Sequence, residues 1–155
     1  MLARVVQQNT GVAFDARGYC GLYAKGGERD VGSTWPQSVP DIPINRRLTR
    51  LHIMHASVYR ERAGTEIGYY ILHFADGHSE TLPIIYGEDV IEEPKNQAPT
   101  VRAKVVWPTS KGKLPIYKVT WTNPHPEVEI KSLDFVSAIT ETSPLLIAIT
   151  VDPSE

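Results

Sequence analysis

Short runs rich in Val, Ile, Thr and aromatic residues, broken by turn residues, recur along the chain, and no segment keeps apolar residues at the three-four-seven spacing of an amphipathic helix. In Leu48 to Tyr59 (LTRLHIMHASVY), Leu51, Ile53 and His55 share one face while Met54, Ala56 and Val58 share the other. Apolar residues on both faces predict a central strand. Ile67 to Ala75 and His78 to Tyr86 flank Asp76-Gly77. Asp and Gly both tolerate the positive φ of a tight turn, so this stretch predicts a hairpin. Val101 to Trp107 alternates, with Val101, Ala103, Val105 and Trp107 pointing one way and Arg102 and Lys104 the other, as in a half-buried strand. Leu114 to Thr122 places Tyr117, Val119 and Trp121 on one face. Val128 to Ala138 starts with Val128 and Ile130 on one face and continues with Leu133 and Phe135 on the other, which predicts a bulge near Lys131–Ser132. Leu145 to Val151 is a continuous apolar run, read as a buried strand. Gly11 to Phe14 and Gly18 to Ala24 are two shorter strand candidates, the second closed by Gly26-Gly27.

Twelve prolines and eleven glycines spread through 155 residues argue against long helices. Residues 26–45, around Trp35, form the least regular stretch and read as a long loop; residues 87–99 (GEDVIEEPKNQAP) read as a connection, and Asn123-Pro124-His125-Pro126 as a rigid turn. Eight or nine strands with turns between them predict an all-β, antiparallel sandwich or barrel. The length fits one domain over residues 1–155, with no internal boundary and no repeat. Its inner faces are expected to come from Leu51, Ile53, Ile71, Val105, Val119, Phe135, Ile147 and Ile149.

Charge narrows the partners. Sixteen basic against eighteen acidic residues leave a net charge of −2, which speaks against a nucleic-acid surface and an acidic tail. Arg46, Arg47 and Arg50 cluster locally and read as a solvated strand end. One cysteine, Cys20, leaves no intrachain disulfide framework and no Cys-based zinc site. Arg4 and then Gln7, Gln8 and Asn9 interrupt any secretory apolar run, and nothing approaches the ~18–20 apolar residues of a membrane helix. The expectation is a soluble chain that meets no membrane. It is cytoplasmic unless it is a module excised from a longer secreted protein.

Candidate chemistry is sparse. There is no G-x-S-x-G elbow, no P-loop and no G-x-G-x-x-G, and Cys20 has no basic neighbour to activate it. His52 and His55 are three apart, which on a strand puts them on opposite faces and argues against a shared metal. His55 and His73 read as core histidines with satisfied hydrogen bonds, and His78 as solvated. Aromatic rings are the more useful class, because sugars stack their C–H faces on exposed rings while nearby polar groups fix the hydroxyls. Trp35, alone in its Gly/Pro-rich loop, reads equally as a loop anchor or an exposed binder. Trp107 and Trp121 lie on the apolar phase of their strands, which favours a core role, although Trp121 adjoins the Asn123 turn.

Several stretches resemble galactose-binding-like β-jelly-roll modules of the kind attached to carbohydrate-active enzymes and to uncharacterised proteins of environmental bacteria. They are GVAFDARG, LHIMHAS, IGYYILHFADGHSETLPIIYGEDV, TWTNPHPEVEIKSLDFVSA and LLIAIT, spread from Gly11 to Val151. The resemblance implies an antiparallel jelly-roll sandwich, a non-catalytic role and sugar or surface binding. The argument from exposed rings supplies the ligand-binding candidates Trp35, Tyr86 and Trp121, with Asn123 beside Trp121. The resemblance also implies a structural calcium, for which Glu88 and Asp89 are the local candidates; the plain alternative is a charged turn in water. Two departures stand out: Ile91-Glu92-Glu93 replaces the Trp that often follows the GEDV element, and the loop between His55 and Gly64 is unusually charged. The alternative function is a structural or protein-interaction module that packs on a partner domain or self-associates. A small glycoside-active enzyme using Glu88 or Asp89 is a third reading.

Overall fold

A computed structural model describes residues 12–27, 34–91, 102–107 and 114–155, with the backbone alone over 104–107. Among the described residues, nine strands form two antiparallel sheets: β1 (Cys20–Gly21), β2 (Ser38–Arg46), β3 (Leu48–Val58), β4 (Glu66–Phe74), β5 (Ser79–Ile85), β6 (Ala103–Trp107), β7 (Ile116–Thr122), β8 (Ile130–Ser137) and β9 (Ser143–Pro153). One sheet runs β1-β9-β3-β7-β6 and the other β2-β8-β4-β5. Setting aside the two-residue β1, this is a sandwich of two four-stranded sheets. The pairs β1–β9, β2–β8, β3–β7 and β4–β5 are nested within one another along the chain, with β6 added beside β7 at one edge. Among the described residues no helix is long and apolar enough to cross a membrane.

The main core lies between the sheets. Leu51, Ile53, Tyr117 and Leu146 enter it from the first sheet, and Tyr70, Leu72, Leu133 and Phe135 from the second. β3 is central, as its two apolar faces require. Leu51, Ile53 and His55 turn inward, while Met54 turns outward and is covered by Phe14 and Ala16 of the N-terminal segment. The hydroxyl of Thr150 donates to the carbonyl of Ala13 at 2.7 Å and ties that segment to the sheet.

The expected β4–β5 hairpin closes on Gly77, at φ +94°, with the Phe74 N–H bonded to the His78 carbonyl at 2.9 Å. The bulge expected in β8 is present: His73 pairs with Ser132 but Phe74 pairs with Ile130, so Lys131 is extra and the inward face switches there. A second bulge falls at Ile147, because Met54 pairs with Ala148 and His55 with Leu146.

Four expectations are corrected. Residues 38–46 are a strand, not part of a loop. Two register shifts accommodate them, with Asp41 and Asn45 at positive φ (57° and 49°), and β2 lies at a sheet edge, where proline costs no ladder bond on the open side. Ile71 faces outward; the inward residues of β4 are Tyr70, Leu72 and Phe74. Ile147, as the bulge residue, packs against the Met54 cluster instead of the main core. His73 is not a core histidine: it is half-exposed and bonded to Asp134 at 2.8 Å. Gly11, Val101 and residues 28–33 and 92–100 lie outside the described residues, as do the side chains of Val105 and Trp107.

Candidate functional site

The sandwich opens where β5 of one sheet faces β7 of the other. A cleft of about 130 Å³ lies there, lined by Ile53 and His55 of β3, Tyr70 of β4, Leu82 and Pro83 of β5, Val119, Thr120 and Trp121 of β7, and Asp89 and Arg102 of the β5–β6 connection. It is smaller than the ~300–1,000 Å³ clefts that hold drug-sized ligands, so it suits a single ring. Strand alternation explains the apolar wall. Val119 and Trp121 are two apart on β7 and share the inward face, and Ile53 lies opposite Val119 in register.

The polar wall is a connected network. The buried His55 ring donates from Nε2 to the Asp89 carbonyl at 3.0 Å, which leaves Nδ1 to accept from the Tyr70 hydroxyl at 2.9 Å. Burial pushes the His55 pKa down, so the ring is neutral, and burial followed by the negative charge of Asp89 pushes the Tyr70 hydroxyl well up. The carboxylate of Asp89 turns back into its own loop. It accepts from the Ile85 N–H at 2.7 Å and from Arg102 Nη2 at 2.6 Å. Glu88 reaches the same Nη2 at 3.3 Å. Arg102 is 45% exposed and carries five N–H donors, of which only those on Nη2 meet these carboxylates.

The residues singled out from the sequence do not converge. Trp121 is half-buried and lines the cleft. Tyr86 is 4% exposed in the main core, so its ring has no face for a ligand. Asn123 is buried and spent on its turn: Nδ2 donates to the Leu48 carbonyl at 2.8 Å, and Oδ1 accepts from the His125 N–H at 2.9 Å. Trp35 does not line the cleft and lies against β1. It covers Gly21 so closely that a Cβ there would sit 2.7 Å from the indole, and it meets Tyr19 edge-on at 6.1 Å. It is an anchor of its loop. Glu88 and Asp89 share a cation, but that cation is the Arg102 guanidinium, which takes the place expected for calcium. Arg102 and Tyr70 were missed. Arg102 reads as the solvent face of a strand, and Tyr70 as one of two adjacent tyrosines, until long-range pairing brings them to His55.

A second network lies on the outer face of the first sheet. Asp152 Oδ2 meets both Arg50 Nε (2.7 Å) and His52 Nε2 (3.1 Å), and His52 Nδ1 meets the Thr120 hydroxyl at 2.8 Å. These are direct cross-strand partners, Arg50 with Asp152 and His52 with Thr120, so the register alone produces the contacts and joins β9, β3 and β7. His52 and His55 do point to opposite sides.

Stability should therefore fall in two stages on acidification. His55 is lowered in the folded state, so its contribution is complete above the ordinary histidine value of about 6.5 and is lost as pH falls below it, because only the unfolded chain then takes up the proton readily. Asp152 is lowered mainly by the His52 hydrogen bond. At Asp134, burial, which raises the pKa, is outweighed by bonds from the Asp41 N–H and from His73. Their contribution is present above the ordinary aspartate range and is lost below it. Urea midpoints measured from pH 8 to pH 3 should show both declines, and His55→Gln should lack the first.

No protein-family model matches this chain, and no curated protein and no solved structure does either.

Proposed function

We propose that this chain is a non-catalytic binding module that takes one carbohydrate ring in the cleft between β5 and β7. The observation that carries the reading is the pairing of a half-buried Trp121 ring with the half-exposed Arg102 guanidinium across a single-ring cleft. An aromatic face beside fixed polar donors is the combination a polyhydroxylated ring needs: C–H groups stack on the indole while hydroxyls accept from arginine. The neutral His55 and the protonated Tyr70 hydroxyl, each held by the other, support binding in place of proton transfer. The nested strand pairs, with β6 as an added edge strand, are the winding we read as a jelly roll, in keeping with the galactose-binding-like resemblance.

A thermal-shift screen against simple and plant-wall sugars tests this. A ligand at a hundred times its dissociation constant adds ~2.7 kcal/mol to stability. One sugar class should raise the midpoint. Trp121→Ala should weaken that sugar at least tenfold, while Trp35→Ala leaves its affinity unchanged. A flat screen, or equal affinity in Trp121→Ala, would overturn the assignment.

One observation favours a protein-interaction module as the second reading. Tyr19 (62% exposed) and Leu114 (37%) flank an apolar groove on the first sheet, shared with Ile116 and Ile147. Self-association in sedimentation, abolished by Tyr19→Ser, would support it.

A further inference from the structure

A separate cluster sits at the turn of the β4–β5 hairpin. His78 and Glu80 are two apart at the start of β5 and so share a face, and the β7–β8 turn brings His125 against them. One ligand atom from each lies within 4.8 Å of the others. The two imidazoles meet nearly at right angles with centroids 5.0 Å apart, and His125 Nε2 stands 3.7 Å from a Glu80 oxygen.

We propose that His78, Glu80 and His125 bind a divalent transition-metal ion of the zinc type. The tautomer of His78 argues most directly for it. A carboxylate only accepts hydrogen bonds, so the bond between His78 Nδ1 and Asp76 Oδ1 places a proton on Nδ1, and the neutral ring then carries its lone pair on Nε2. That Nε2 atom is buried and has no hydrogen-bond partner among the described residues. An imidazole oriented by a carboxylate through one nitrogen, with the other nitrogen bare, is the arrangement of zinc-binding histidines. Two imidazoles and one carboxylate are a zinc donor set, and solvent can supply the fourth ligand because all three side chains are only part-buried.

Geometry and packing fit. Bonds of ~2.0–2.1 Å in a tetrahedron put donors about 3.3 Å apart, so the cluster must close by about 1.5 Å at its widest. Part-buried side chains on two turns and at the start of β5 reach this by χ rotation. The backbone under them is held firmly. Prolines flank His125 on both sides, and Asn123 Oδ1 accepts the His125 N–H. The buried Phe74 ring stacks on His78 at 4.0 Å and meets His125 edge-on, forming an apolar floor. The ion would pin the β4–β5 hairpin to the β7–β8 turn and so join two segments far apart in the chain.

The test is titration of the full chain with zinc chloride in a non-chelating buffer, by calorimetry and thermal shift, with chelator reversal. One ion per chain, a raised midpoint and a dissociation constant of micromolar or tighter are expected. His125→Ala and Glu80→Gln, both at part-exposed positions, should each weaken binding at least tenfold with an unchanged circular dichroism spectrum. Asp76→Asn should weaken it as the loss of an orienting partner does, by about tenfold. His73→Ala, which removes a histidine outside the cluster, should leave it intact. Absence of saturable binding, or binding insensitive to His125→Ala and Glu80→Gln, would overturn the proposal.

Discussion

Phe135→Ala is expected to lower the unfolding free energy by about 3–5 kcal/mol, read as a shift of the urea midpoint at unchanged slope. The ring is fully buried on β8, the strand held between β2 and β4. It stacks on Tyr70 with centroids 5.2 Å apart, and Tyr70 in turn bonds His55. Truncation removes the burial of the ring and leaves a void between two central strands that pair on both sides and cannot close it easily. Ile71→Ala, one position along β4 from Tyr70 but on the outward face, is the control. It should cost about 1 kcal/mol. Equal losses at the two positions would mean that the inward phase of β4 is misassigned.

Asp89→Ala carries the second largest effect, about 2–4 kcal/mol. The side chain is 7% exposed and answers two donors, the Ile85 N–H at the end of β5 and Arg102 Nη2. Removing it leaves the amide without its acceptor, worth ~1–3 kcal/mol. It also ends a charge-assisted bond whose worth is reduced by the solvent exposure of Arg102. Asp89→Asn keeps an acceptor for the amide and should lose clearly less. Because the Asp89 carbonyl also accepts from His55, the alanine variant should loosen the cleft wall. Thermal unfolding of the three proteins, with hydrogen exchange of the Ile85 amide, checks both parts. An alanine variant as stable as the parent would show that the loop does not depend on this carboxylate.

Local pattern carried most of the sheet. Alternation in β7, the Asp-Gly turn and the phase change in β8 are properties of neighbouring residues, and the structure has all three. β2 escaped because Pro40 and Pro43 argue against a strand unless its edge position is known, and edge position belongs to the whole sheet. The phase of β4 was misread because IGYYILHF offers apolar residues on both parities, and a register shift between Glu66 and Gly68 resets the alternation. Trp121 was legible as a ring on the inward face of β7. The cleft around it was not, since His55, Tyr70, Asp89 and Arg102 come from four separate segments. His78, Glu80 and His125 escaped for the same reason: only the meeting of two turns unites them.

The most direct measurement is a two-dimensional NMR titration of the isotopically labelled chain with the sugar that most raises its thermal midpoint. The account predicts that the largest shifts fall on the Trp121 indole N–H, the Arg102 guanidinium and the amides of β7 and of the Asp89 loop, with Trp35 and Tyr19 unmoved. Shifts centred on Trp35 and Tyr19, or on the outer face of either sheet, would contradict it.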